Sequence, residues 1–243
     1  VLPVVGACLL VALLTALLMR DQPQQLGLAP YGESEVPPAP PPQPWDITLP
    51  YKILAQASRH GIFWVLAGSF FICGLSTNGL IQTHFISLCG DRGLSAVPAA
   101  SVLAMMGAFD LIGTTLSGYL SDRYDNRSLL FWYYALRGLS LFWLPFSTFT
   151  FYGLTLFAMF YGLDWIATVP PTVKLAAREF GAERAGLVFG WVFAAHQLGA
   201  ATAAYGAGLT RTLLLTYTPA LLSAGAACLL AAGMVMLIRQ RAA

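Results

Sequence analysis

The stretch Gly118-Tyr-Leu-Ser-Asp122-Arg123-Tyr-Asp125-Asn-Arg127 is a short charged segment between two long apolar runs. The upstream run, residues 98–120, carries one charged residue, Asp110, and the downstream run, residues 129–146, also carries one, Arg137. Each run is long enough to cross a bilayer as a helix. The runs and the short turn between them therefore predict a helical hairpin in a membrane, with the turn on the cytoplasmic side. This turn, residues 118–127, is called the hinge below.

The composition of the whole chain also indicates a membrane protein. Of the 243 residues, 57% are hydrophobic and 10% are charged, whereas a soluble domain carries about 25% charged residues. The net charge of +2 is spread between apolar runs, which argues against nucleic-acid binding. The four cysteines have no metal-binding or redox spacing, and no catalytic or nucleotide-binding motif is present. We therefore predict no enzyme activity, no metal and no cofactor.

Apolar runs of about 20 residues recur along the chain. Residues 1–19 form the first, which we interpret as the remaining part of a transmembrane helix. Residues 20–58 form a polar connection with a Pro-rich run from Val36 to Pro44, for which we expect an extended, solvated conformation. Residues 59–243 form the main domain, in which six spans are predicted: about 62–88, 98–120, 129–147, 149–172, 185–209 and 217–238.

Basic residues divide unequally between the two sides of the predicted bundle. One side receives ten of them and the other side only two, Arg92 and Arg211. Because short cytoplasmic loops are enriched in Lys and Arg, the side with ten is the predicted cytoplasmic side, and it holds the hinge, the Pro-rich connection and the carboxyl terminus. The ten residues are Arg20, Lys52, Arg59, Arg123, Arg127, Lys174, Arg178, Arg184, Arg239 and Arg241.

The hinge resembles the loop motif of the major facilitator superfamily, a large class of twelve-helix secondary transporters. Gly118, Asp122, Arg123 and Arg127 fit the pattern G-x-x-x-D-R-x-x-x-R. In that family the glycine permits close helix approach, the aspartate lies near the end of a neighbouring helix and the arginines bind backbone carbonyls, so that the loop latches one conformation. An ordinary positive-inside turn would by itself explain Arg123 and Arg127.

The resemblance implies an all-α membrane protein, with the six-helix carboxyl-terminal half of the bundle, part of the sixth helix and the central linker. The expected function is secondary transport of a small organic solute, with a carboxylate or other anion as a candidate, driven by protons through alternating access. We expect a multi-pass protein of a bacterial inner membrane, whose partners are the solute, protons, lipid and an amino-terminal half. Without that half, we expect no transport. The alternatives are efflux by proton antiport and a receptor or scaffold that moves no solute.

Polar side chains within the spans are the candidates for the solute and proton pathway. A charge at the bilayer centre costs about 2.5–3.5 kcal/mol on insertion scales, so the three central charged residues should avoid lipid. Either they pair for structural reasons or they line an aqueous cavity. The eight candidates are Asn78, Gln82, His84, Asp110, Arg137, Asp164, His196 and Gln197.

The uncharged candidates have structural alternatives. Asn78 and Gln82, four residues apart, share a helix face, where they contact either solute or a neighbouring helix. His196 is either functional or a packed core residue, and His84, near the outer end, is either functional or interfacial. Two backbone features stand close to these residues: Pro170-Pro171 should end or kink a helix, and the small residues of 199–208 should permit close helix contact.

Residues 84–95 and 107–113 resemble the monocarboxylate and oxalate/formate porter branch of the superfamily. In that branch an aspartate, matched here by Asp110, is followed four residues later by an arginine, and the two serve substrate and proton. Thr114 occupies the arginine position in this chain, and Arg137 would supply the missing cation.

We predict an ion pair between Asp110 and Arg137. Counted from Tyr124 in the hinge, Asp110 lies fourteen residues before and Arg137 thirteen after, which at about 1.5 Å per residue gives nearly equal depth. The same count from the turn near Thr148 separates Asp164 from the depth of Arg137 by about 7–8 Å. A proton arriving at Asp110 would release the arginine for an anionic substrate, and the driving proton would be carried by Asp110 or Asp164.

Overall fold

A computed structural model describes residues 2–20, 23–29, 35–36 and 46–239. Most of these residues are helical and none is in a β-strand, which confirms the predicted fold class. The chain divides into two units, residues 1–47 and 48–243. The first unit contains α1 (Leu2–Leu18) and a short 3-10 turn, Pro23–Leu26. The predicted extended run from Val36 to Pro44 lies outside the described residues, except for Val36.

The second unit contains nine α-helices among its described residues. They are α2 (Leu49–Ala57), α3 (Gly61–Gly74), α4 (Thr83–Asp91), α5 (Ala96–Ser121), α6 (Asn126–Trp143), α7 (Phe151–Asp164), α8 (Val169–Phe180), α9 (Ala182–Leu214) and α10 (Thr218–Val235). A π-helix, Leu75–Gln82, joins α3 to α4, and a 3-10 turn, Leu144–Phe146, follows α6.

Five helical segments of the described chain are long and apolar enough to cross a membrane. They are Gly61–Asp91, Ala96–Ser121, Phe151–Phe180, Ala182–Leu214 and Thr218–Val235. Each matches a predicted span. The remaining predicted span, 129–147, corresponds to α6 and the turn after it, and α6 is less apolar because it contains Arg127 and Arg137.

The second half of the predicted polar connection is more ordered than its composition indicates. Leu49–Ala57 forms α2, whose Ile53 and Ala57 are buried in the same apolar cluster as residues of α3 and α9. The indole Nε1 of Trp191 donates a hydrogen bond to the carbonyl of Pro50 at 3.0 Å. The compact unit therefore includes α2, which the prediction assigned to the linker.

Glycines bring the helices of the second unit together in pairs. A Cβ atom built on Gly199 of α9 would lie 1.9 Å from the carbonyl oxygen of Phe71 in α3, and one built on Gly113 of α5 would lie 2.0 Å from that of Leu163 in α7. Gly138 of α6 similarly faces the backbone of α10. Small residues allow such backbone contact between apolar helices, so the predicted close approach at Gly199 is confirmed.

Candidate functional site

The helical span from Phe151 to Phe180 is interrupted at residues 165–168, between α7 and α8. Pro170 and Pro171 follow this break, and proline has no N–H with which to bond the carbonyl four residues earlier. The predicted effect of this proline pair is therefore confirmed. The break is surrounded by other helices, so its free backbone groups need partners from their side chains.

Side chains from α5 and α6 supply those partners. The Ser117 hydroxyl donates to the carbonyl of Ala167 at 2.5 Å. Arg137 Nη2 donates to the carbonyls of Asp164 at 2.5 Å and Trp165 at 3.1 Å. On the other side, the N–H of Ile166 donates to Asp110 Oδ1 at 3.0 Å. Two helices thus hold the interrupted one in its unwound geometry.

Arg137 and Asp164 form a buried ion pair at the break. Arg137 Nε donates to Asp164 Oδ2 at 2.7 Å, and the arginine side chain is 0% exposed. Arg137 Nη1 also lies 3.0 Å from the sulfur of Cys73. The second carboxylate oxygen, Asp164 Oδ1, is buried and has no hydrogen-bond partner among the described residues. Burial of an oxygen without a donor costs free energy, which favours a proton or a water molecule at this position.

The predicted pairing of Asp110 with Arg137 is wrong. Asp110 accepts hydrogen bonds from Ile166 N and from the hydroxyl of Thr114, at 2.9 Å, while Arg137 binds Asp164. Depth along the membrane normal does not say which helix a side chain faces. In the structure α5 packs mainly on α7, and α6 mainly on α10.

The depth count for Asp164 also used a connection that was too simple. The chain leaves α6 through the 3-10 turn Leu144–Phe146, and α7 begins only at Phe151. When Arg137 is counted from Phe146, with the 3-10 turn included, and Asp164 is counted from Phe151, the two residues differ in depth by about 4–5 Å rather than 7–8 Å. The long arginine side chain spans that distance.

A cavity of about 230 Å³ lies beside the break. It contains three of the predicted pathway residues, Asn78, Gln82 and His196, which come from the π-helix and α9. π-helical segments often occur at functional sites, because the extra residue re-aims neighbouring side chains. The lining consists of Phe70, Cys73, Thr77, Asn78, Gln82, Trp165, Ile166, Thr168, Val169, Phe193 and His196.

His196 is one of the buried polar residues of this cavity. Its ring stacks on Phe193 and lies close to Phe70, with centroid distances of 5.2 Å to each. Its Nδ1 is buried and has no hydrogen-bond partner among the described residues. A buried nitrogen without a partner loses free energy, so a bound molecule that supplies one would be favoured. A second cavity, of about 390 Å³ and next to α10, is lined by apolar, small and hydroxyl side chains and has no ionisable group in its lining.

Two predicted residues lie away from the cavity. Gln197 is exposed on α9, one residue beyond His196 and therefore on another face of the helix. His84 bonds the carbonyl of Ala204 through Nε2 at 2.9 Å and the hydroxyl of Tyr217 through Nδ1 at 3.2 Å. These hydrogen bonds hold α4 against α9 and the start of α10.

Several lining and supporting residues were missed from the sequence. Cys73 is not among the predicted pathway residues, yet it contacts Arg137 and lies 3.4 Å from the Thr168 hydroxyl. Ser117 carried a signal that could have been used. It lies seven residues after Asp110, which is two helical turns along the same face of α5. This spacing predicts that both side chains face the same neighbouring helix.

Comparison with known proteins identifies the family. The model of the Major Facilitator Superfamily matches residues 2–204. The chain belongs to this superfamily. It is also 28% identical, over 153 residues, to a protein of Bacillus subtilis (strain 168) named "Uncharacterized MFS-type transporter YcxA". That match covers 60% of this chain and 36% of the relative.

Membership in the Major Facilitator Superfamily and five membrane-length helices make the chain an integral multi-pass membrane protein. The resemblance to the monocarboxylate and oxalate/formate branch stays a prediction. All residues of the superfamily motif at the hinge are described by the structure.

Of the hinge positions, Arg127 makes the backbone-carbonyl contact that the motif implies, whereas Asp122 and Arg123 contact side chains. Asp122 forms an ion pair with Lys174 of α8. This ammonium, by hydrogen bonding and by its charge, holds the pKa of the Asp122 carboxyl below its usual 3.8. Arg127 Nη1 donates to the carbonyl of Ile238 at 2.5 Å, beyond the end of α10, and Arg123 lies over the Tyr119 ring at 3.7 Å. A Cβ on Gly118 would meet no described atom within 4 Å, so Gly118 makes no close approach to the described part of the chain.

Proposed function

We propose that this chain forms half of a secondary transporter, which moves a small organic solute across the membrane by alternating access and is driven by protons. The observation that carries the proposal is the buried Arg137–Asp164 pair at a helix break beside a polar cavity. Interrupted helices next to a cavity are a common way to build a solute site within a membrane. Family membership supports the same function.

Asp164 replaces Asp110 as the proposed proton carrier. One carboxylate oxygen of Asp164 binds Arg137, and the other has no partner among the described residues. A proton on this carboxylate removes the negative charge that Arg137 faces. Arg137 also holds the carbonyls of Asp164 and Trp165, so the release of its guanidinium would change the backbone bonds of the break.

The freed arginine also gives a reason for an anionic solute. The described lining of the cavity has no carboxylate, and its polar groups are amides, hydroxyls, a thiol and His196. A guanidinium released towards this lining could bind the carboxylate of a solute, because no acidic side chain of the lining would compete for it. Proton and anion would then enter the site together, which is symport.

Proteoliposomes containing the full-length protein test the coupling. Asp164→Asn keeps the shape of the side chain but cannot be negatively charged. We expect it to abolish solute accumulation driven by a proton gradient and to retain exchange of solute between the two sides. Asp110→Asn is the matched control, because its amide oxygen can still accept from Ile166 N, and we expect it to retain accumulation. Proton-driven accumulation by Asp164→Asn would contradict the proposal.

The direction of transport follows from the same assay. Solute that leaves the vesicles as protons enter would indicate efflux by antiport instead of symport. A receptor or scaffold would show no flux in any variant. Because the superfamily pathway lies between two halves, we expect the 243-residue chain alone to show no saturable, proton-dependent flux. Such flux from the chain alone would exclude the need for a second half.

A further inference from the structure

A second polar cavity, of about 330 Å³, lies at the hinge end of the bundle, away from the break. It is formed where α2, the start of α3, the end of α8 and the start of α9 meet. Its lining consists of Ile53, Gln56, Ala57, Arg59, His60, Glu179, Phe180, Arg184 and Val188. Neither the proposed transport site nor the hinge motif includes any of these residues.

The cavity has two arginines whose charges are not compensated. Arg184 Nη1 donates to the neutral Gln56 Oε1 at 3.3 Å. No carboxylate of the described residues forms an ion pair with Arg59 or Arg184. The one acid in the lining, Glu179, is bound by Arg178 at 3.1 Å, so its charge is already balanced.

Aromatic residues indicate that this cavity lies at the level of the lipid headgroups. Tyr51 on α2 is 64% exposed, and Trp64 on the first turn of α3 is 60% exposed. Their neighbours are polar: Trp64 Nε1 donates to the carbonyl of Ser58 at 2.8 Å, and Trp191 does the same to Pro50. Tyrosine and tryptophan with an apolar body and a bonded polar tip are enriched at the membrane–water interface.

We propose that this cavity binds a phosphate group, with Arg59 and Arg184 contacting its oxygens and His60 as a further donor. Guanidinium groups bind phosphate through paired hydrogen bonds and are the common choice for this anion. The phosphate comes either from an anionic lipid or from the aqueous phase. A positive-inside charge bias alone would need neither a cavity nor two arginines in its lining, one from the turn between α2 and α3 and one from α9.

The test compares two double variants of the full-length protein in an uncharged detergent. Arg59→Gln/Arg184→Gln removes both cavity arginines. Lys52→Gln/Arg239→Gln is the control: it removes two exposed basic residues from the same end of the bundle, and neither lines this cavity. Native mass spectrometry measures bound phosphatidylglycerol, with zwitterionic phosphatidylcholine as the lipid reference. Thermal unfolding measures the response to inorganic phosphate.

We expect the cavity variant to bind the anionic phosphate about 30-fold more weakly, as two lost basic contacts predict. The control variant should stay close to wild type. If phosphatidylglycerol is lost and inorganic phosphate has no effect on any protein, the ligand is a lipid headgroup. If inorganic phosphate stabilises wild type and control but not the cavity variant, and lipid retention is unchanged, the ligand is soluble phosphate.

Equal lipid retention and equal phosphate response in both variants and in wild type would overturn the proposal. A cavity variant that fails to fold would be recognised by size-exclusion chromatography. In that case Arg59→Lys/Arg184→Lys keeps both charges but loses the paired geometry of guanidinium. We expect it to bind phosphate more weakly than wild type while eluting as the same species. Wild-type binding by this variant would also contradict the assignment to the arginines.

Discussion

Arg137 is the residue with the most contacts at the break. Its guanidinium binds a carboxylate, two backbone carbonyls and a thiol, although it lies within a span that the sequence marks as apolar. A buried charge of this kind is tolerated only when its partners are in place. Removing one partner is therefore more damaging than removing both.

A double-mutant cycle measures this dependence. Arg137→Ala should lower the free energy of unfolding by about 3–5 kcal/mol when Asp164 is present, because it leaves a buried carboxylate without a partner. In an Asp164→Asn background the same change should cost at least about 1 kcal/mol less. The lost carbonyl contacts are common to both backgrounds and cancel. The measurement is reversible unfolding in mixed detergent micelles.

The same cycle with Asp110→Asn in place of Asp164→Asn serves as the control. Asp110 contacts Ile166 and Thr114 and makes no hydrogen bond to Arg137. We expect an interaction energy well below that of the Asp164 cycle. A larger value for Asp110 would restore the pairing predicted from depth and contradict the structure.

At the scale of helices, the break between α7 and α8 depends on α5. Pro170 and Pro171 lack the backbone N–H donors that an uninterrupted helix would have. The Ser117 hydroxyl of α5 replaces one of these donors by bonding the Ala167 carbonyl. A hydrogen bond between helices in a membrane contributes about 1 kcal/mol. Its loss leaves the Ala167 carbonyl buried without a donor.

Ser117→Ala should therefore lower the free energy of unfolding by about 1 kcal/mol. Ser101→Ala on the same helix is the matched control. Its hydroxyl is exposed and donates to the Val97 carbonyl of its own helix at 3.0 Å, so its removal should have almost no effect. Equal losses for the two variants would show that the break does not need the Ser117 bond.

The contact between α3 and α9 depends on the absence of a side chain at Gly199. In Gly199→Ala the new methyl group would overlap the Phe71 carbonyl, and we expect a loss of about 1–3 kcal/mol from the forced separation of the helices. Gly206→Ala on the same helix meets no atom within 4 Å and should be neutral or slightly stabilising. Thermal unfolding in detergent compares the two variants. A harmless Gly199→Ala would mean that the helices are not so close.

At the scale of the whole molecule, the hinge connects the α5–α6 hairpin to α8 and to the residues after α10. Asp122 ties the end of α5 to α8, and Arg127 ties the start of α6 to the residues after α10. The pKa of Asp122 is lower in the folded protein than in the unfolded chain. The ion pair therefore contributes its full stabilisation when the pH is above the usual pKa of aspartate. This contribution is lost as the pH falls through the lowered pKa of the folded protein.

Asp122→Asn should impair transport while membrane insertion and abundance stay close to normal, because the lost pair lies at the exposed end of the bundle. Lys174→Gln should have the same effect, and the exchange Asp122→Lys/Lys174→Asp should restore part of the rate. Since Asp122 stays ionised at neutral pH, its effect should not vary between mildly acidic and neutral buffers. A full transport rate for Asp122→Asn would reduce the hinge to a topology signal.

The sequence by itself determined the features that depend on position along the chain. Apolar runs located the spans, because a helix that crosses a bilayer must carry about 20 apolar residues in succession. Pro170 and Pro171 located the break, because the lack of an N–H is a property of the residue itself. The hinge motif indicated the superfamily, and it consists of residues that are close in sequence.

Only the tertiary structure decided which distant side chains meet. Arg137 binds Asp164 and not Asp110, and His196 faces the cavity while Gln197 does not. Counting residues gives depth in the membrane, but partner choice also depends on which helices touch and how each is rotated about its axis. Both depend on long-range backbone contacts at glycines such as Gly113 and Gly199. The small residues of 199–208 predicted a close approach, but they did not indicate which helix Gly199 would meet.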